Sequence, residues 1–86
     1  MNQQQVNLQF VVMLNEWDPF RCGEGNYDPE IADTIQAVHD LDDVGALAKR
    51  IQQIYEFSFE ELIPDESCLQ MAHKLLQTKT QGSCSL

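Results

Sequence analysis

The chain has 86 residues, a formal net charge of −9 and a hydrophobic fraction of 43%, which suits one small globular domain with a single hydrophobic core. A domain of this length buries roughly 60 to 65% of its unfolded surface, enough to fold alone but too little to wall off a large active site. Its longest apolar run, residues 10–14, falls far short of the about 20 residues that span a bilayer, and residues 1–5 carry no Lys or Arg ahead of a signal-type segment, so a soluble cytoplasmic protein is expected.

In chain order, Val6, Phe10, Met13, Leu14 and Trp17 fall on one helical stripe, predicting a first helix over residues 3–16. Asp18-Pro19 ends it, because proline disfavours helical geometry in the residue before it, and Gly23, Gly25 and Asn26 extend a long loop. Asp28-Pro29 reads as the next start, with Asp28 as N-cap and Pro29 where a missing N–H costs nothing. Ile31, Ile35 and Val38 are the buried stripe of this second helix, over 29–39. Asp40-Leu41-Asp42-Asp43 is a turn whose last aspartate caps a third helix, over 43–57, with the stripe Val44, Leu47, Ala48, Ile51, Ile54 and Tyr55. Ser58-Phe59-Glu60-Glu61 matches a capping box, predicting a fresh helical turn. A fourth helix is predicted over 65–78 with the stripe Leu69, Ala72, Leu75 and Leu76, followed by a disordered tail over 79–86. No segment alternates as a strand does. The expectation is an all-α, four-helix, bundle-like domain over 1–78 whose core contains Val6, Phe10, Leu14, Ile31, Ile35, Leu47, Ile51, Ile54, Leu69, Ala72 and Leu76.

Three stretches, Asn15-Glu16-Trp17-Asp18-Pro19-Phe20, residues 27–33 (Tyr-Asp-Pro-Glu-Ile-Ala-Asp) and residues 51–59 (Ile-Gln-Gln-Ile-Tyr-Glu-Phe-Ser-Phe), resemble the YugE-like family of small uncharacterised proteins of bacilli. The likeness spans residues 5–77 and implies an all-helical fold; it brings no catalytic residue with it. A Trp-x-Pro loop followed by an acidic, tyrosine-containing helix start is also similar to some small immunity proteins that neutralise bacterial toxins. This sequence departs from them at Phe20-Arg21-Cys22.

The chemistry-bearing residues fit no template for catalysis or cofactor binding. Cys22, Cys68 and Cys84 are spaced for neither a zinc site nor a redox motif, and an odd number of thiols fits a reducing compartment. Asp40-x-Asp42-Asp43-x-Gly45 resembles a calcium loop, but Val44 and Ile51 stand where oxygen ligands are required. His39 lies among Asp40, Asp42 and Asp43, where a cation suits a helix C-terminus; a small enzyme using His39 with a neighbouring aspartate is the alternative reading. Residues 16–43 hold nine of the fourteen acids and one of the five Lys and Arg, a surface that repels nucleic acid and attracts a basic protein. Trp17 is read either as a core anchor for the 18–27 loop or, with Phe20 and Tyr27, as part of an exposed aromatic patch. The expected function is therefore a non-catalytic protein-interaction module without metal or cofactor, with Trp17, Asp18, Phe20, Tyr27, Asp28, Asp40, Asp42 and Asp43 as its binding residues. An immunity-type inhibitor of a basic toxin or nuclease is a second alternative.

Overall fold

A computed structural model describes residues 3–21, 23 and 27–84. Four α-helices occupy them: α1 (Gln3–Trp17), α2 (Asp28–Asp40), α3 (Val44–Phe59) and α4 (Asp65–Cys84). No strand occurs among the described residues, so the all-α, four-helix expectation holds. α4 lies against each of the other three helices, α3 packs on α2, and α1 packs on α2 and α4. α1 reaches α3 through the Trp17 ring, which meets Tyr55 edge-on at 5.5 Å.

One core joins all four helices: Phe10 and Leu14 from α1, Ile31 and Val38 from α2, Leu47, Ile51 and Tyr55 from α3, and Cys68, Met71, Ala72 and Leu75 from α4. Of the eleven predicted core residues, Val6, Phe10, Leu14, Ile31, Leu47, Ile51 and Ala72 are buried, while Ile35, Ile54 and Leu76 are half-buried at its edge. Leu69 is the correction: it is 43% exposed. The buried stripe of α4 runs instead through 68, 71, 72 and 75, a helical spacing that begins on a small thiol rather than a leucine.

The helix ends show which local signals prevailed. Asp18 takes a positive φ of 38° just before Pro19, and Arg21 N–H closes the turn onto the Asp18 carbonyl at 3.1 Å. α2 starts one residue earlier than expected. Tyr27, not Asp28, is its N-cap, with no side-chain cap, because the buried Tyr27 sets the phase and its carbonyl accepts from Ile31 N–H at 2.7 Å. Asp28 then stands in the first turn, where its charge suits the positive end of the helix. Asp43 caps α3 as expected, its carboxylate accepting from Ala46 N–H at 2.8 Å.

The capping box at Ser58 does not form. α3 runs unbroken through Ser58 to Phe59 and stops on Glu60, a left-handed cap with φ 57° whose N–H donates to the Glu56 carbonyl. The reason is tertiary: one further residue of helix carries Phe59 onto the rings of Phe20 and Tyr27, at 4.9 and 5.4 Å. The connection to α4 is then held by Ile63, which is buried, and by the Gln52 amide, which donates to the Ile63 carbonyl at 2.8 Å and to Asp65 at 2.6 Å.

The fourth helix does not end at residue 78 as expected: α4 continues through Lys79 to Cys84. Lys79 Nζ donates to the Val38 carbonyl at 2.8 Å and pairs with Asp42 at 3.0 Å, so the final turns of α4 are tied to the C-terminus of α2. Residues 85–86 lie outside the described residues.

Candidate interaction surface

The 18–27 connection is organised by one tyrosine. Tyr27 is fully buried, and its phenol donates to Asp18 Oδ1 at 2.6 Å while accepting from Phe20 N–H at 3.0 Å. The Asp18 carboxylate also accepts from Gly23 N–H at 3.2 Å. A short bond to a carboxylate is among the stronger hydrogen bonds available, and here it fixes the turn that α1 leaves behind. Around it, Trp17, Phe20, Tyr27, Tyr55 and Phe59 form one aromatic cluster with centroid separations of 4.9 to 6.4 Å, the range in which offset and edge contacts are favourable.

This arrangement corrects the idea of an exposed aromatic patch. Tyr27 is inaccessible, and Trp17 and Phe20 are half-buried against the core. Trp17 therefore serves as the core anchor of the loop, because its ring is spent on Tyr55. Cys22, also in this connection, lies outside the described residues.

Tyr55 sits at the centre of the cluster, buried, with no hydrogen-bond partner of good geometry for its hydroxyl among the described residues. Burial pushes its phenol well above the ordinary value of 10, the Glu30 carboxylate adds to the shift, and the Thr34 hydroxyl opposes it. Thr34 itself donates to the Glu30 carbonyl at 2.7 Å. On the α4 side, Cys68 is a buried core side chain, and burial and then Asp65 push its thiol up to about 11, which lowers its thiolate fraction.

The acidic residues divide by role. Asp18 and Asp43 hold backbone amides. Asp40 accepts from the Gln36 amide at 3.2 Å one turn earlier. Asp42 is 93% exposed at its side chain and pairs with Lys79. Asp28 and Asp33 are exposed on α2. Between α2 and α3 runs a groove of about 310 Å³, lined by Asp33, Gln36, Ala37, Asp40, Leu41, Arg50 and Ile54. The predicted binding residues thus do not converge. Trp17, Asp18, Phe20 and Tyr27 are consumed inside the fold at one end of α2, while Asp40, Asp42 and Asp43 lie at the other.

His39 does not meet the aspartates beside it. Its Nε2 is 2.8 Å from Asn7 Oδ1 and its ring packs edge-on against Phe10 at 6.0 Å, which makes it a link between α1 and α2. No group of three His, Cys, Asp or Glu side chains suited to a metal occurs among the described residues, and none of their helices is long and apolar enough to cross a membrane. Phe57 and Leu62, absent from the predicted binding residues, stand exposed at the α3–α4 corner. Their signal was present in the pattern, since neither falls on a helical stripe.

Similarity to known proteins extends over nearly the whole chain. A protein described as uncharacterized protein YugE, from Bacillus subtilis (strain 168), is 41% identical over 85 residues, covering 99% of both chains. The crystal structure of APC36109 from Bacillus stearothermophilus superposes with a TM-score of 0.88 at 45% identity, covering 91% of this chain and 96% of that one. The family described as domain of unknown function DUF1871 matches residues 9–85, and with the four-helix fold and the YugE likeness in agreement, the chain belongs to that family.

Proposed function

We propose that this protein is a non-catalytic interaction domain of the cytoplasm that recognises a basic protein through carboxylates presented on and beside α2. The observation that supports this reading is the exposure of Asp28, Asp33 and Asp40 on α2 and of Asp42 just past its end, with Asp33 and Asp40 on the α2 wall of the groove shared with α3. Opposite charges steer encounter and set the register of a complex more than they add affinity, so such a row suits selection of a cationic partner. Three of the polar groups that lend themselves to chemistry are engaged in the fold: His39 with Asn7, Tyr27 with Asp18, and Lys79 with the end of α2. A free, buried Cys68 agrees with a reducing compartment.

The test is affinity capture from a native lysate with wild type and with Asp33→Asn/Asp40→Asn, followed by association rates of the captured partner across salt concentration. The expected result is a basic protein whose association slows in the variant and at high salt, since charges are screened beyond about 8 Å at physiological ionic strength. A partner bound equally by both forms removes α2 from the interface.

A further inference from the structure

The corner between α3 and α4 exposes apolar side chains that the bundle does not use. Phe57, in the last turn of α3, is 89% exposed, and Leu62, in the connection, is 62% exposed. Their neighbours Phe59 and Ile63 pack against or within the core, so apolar residues in this segment alternate between packing and presentation. Glu56, Glu60 and Glu61, their neighbours in the sequence, are exposed as well, and a shallow groove runs among Gln53, Glu56, Phe57 and Glu60. Residues 51–73 contain five acids and neither Lys nor Arg, so the near-neutral balance of the C-terminal half conceals a wholly acidic middle. Leu8 and Val12 on α1 are exposed too, but residues 1–15 contain no charged side chain and nothing there specifies an occupant.

We propose that the α3–α4 corner is the docking site for a basic amphipathic helix of another protein. Its apolar face covers Phe57 and Leu62, and its Lys or Arg side chains meet Glu56, Glu60 and Glu61. Exposed aromatic and aliphatic side chains supply the buried anchor of a helix-on-surface contact, and the surrounding charge selects the partner. A symmetric contact with a second copy sets acids against acids and is disfavoured; phosphate-rich surfaces are repelled in the same way. The proposal rests on the interaction-domain reading and gives it an apolar anchor, since the rings of the 17–27 segment are spent internally. The contact of Phe59 with Tyr27 brings the corner to the end of the bundle where Asp28 begins α2.

The probe is a short synthetic amphipathic helix built from leucine and lysine, titrated into the full chain labelled for amide NMR. Saturable binding is expected, with the largest shifts in residues 53–62. Phe57→Ser/Leu62→Ser should weaken it by at least about tenfold with unchanged thermal melting, and Glu56→Gln/Glu61→Gln should weaken it and flatten its salt dependence. Shifts centred on Asp33 and Asp40 that ignore Phe57→Ser/Leu62→Ser overturn the corner while leaving the acidic interaction domain standing. Absence of saturable binding, or a dimer that Phe57→Ser abolishes, also overturns it. Failure of the broader reading is read separately, from partner capture by the Asp33→Asn/Asp40→Asn variant.

Discussion

Lys79 Nζ lies 2.8 Å from the carbonyl oxygen of Val38, forty-one residues earlier, and closes the C-terminus of α2 with a cation carried on α4. The same ammonium lies 3.4 Å from the His39 carbonyl, so it satisfies acceptors that a helix end leaves unpaired. Lys79→Met is expected to cost about 1 to 2 kcal/mol of stability in urea denaturation. Asp42→Asn should hardly move the midpoint, because that carboxylate is almost wholly in water. Equal losses in the two variants would assign the stabilisation to the ion pair rather than the helix end.

Tyr27→Phe keeps the ring in the aromatic cluster and removes the bonds to Asp18 and Phe20. The expected loss is about 1.5 to 3 kcal/mol, the range for a hydrogen bond to a charged group, with faster hydrogen exchange of the amides of Phe20 and Arg21. An unchanged exchange pattern would mean that the turn is held by Pro19 and packing alone.

Tyr55 gives the opposite sign. Its hydroxyl is buried without a well-formed partner, and such a group costs about 1 to 3 kcal/mol, so Tyr55→Phe should be neutral or slightly stabilising. The pH dependence follows from the raised phenol. The unfolded chain loses this proton near pH 10 and the folded chain only above that value. The phenol's contribution to stability is therefore complete below pH 10 and declines as pH rises past it. Urea midpoints of wild type should fall above pH 10 more steeply than those of Tyr55→Phe, a comparison that cancels the shared titration of the lysines.

In a Cys22→Ser/Cys84→Ser background, Cys68 should react with an aromatic disulfide reagent about a hundredfold more slowly in the native state than in denaturant at pH 8. That factor follows from a thiol moved from 9.0 to about 11, and burial slows it further. Native and denatured rates within a factor of about three would show that α4 opens readily around the thiol.

The sequence made some of this legible because some signals are local. Asp43 caps α3 through its own backbone neighbourhood, and the stripe of α3 is regular enough to be read without its partners. The Ser58 box does not form because it competes with Phe59, whose packing depends on the rings of Phe20 and Tyr27, far earlier in the chain. Hydropathy alone puts Leu69 in the α4 stripe ahead of Cys68, whereas the structure buries Cys68 and leaves Leu69 43% exposed. For the candidate surface, sequence identified the acids but joined them to the wrong rings: Tyr27 turns inward, its ring on Tyr55 and Phe59 and its hydroxyl donating a hydrogen bond to Asp18, relations no spacing rule contains.

The tie between α4 and the earlier helices also bears on how the chain is made. Thr78 donates to Met13 Sδ at 3.5 Å across sixty-five residues, one position before Lys79 reaches α2. Contacts of that span cannot form while the ribosome still holds the fourth helix, and loop closure over such distances slows folding. Until the fourth helix has been made, the first three lack the partner that covers the faces they turn to it, and a chain in that state presents apolar surface open to aggregation.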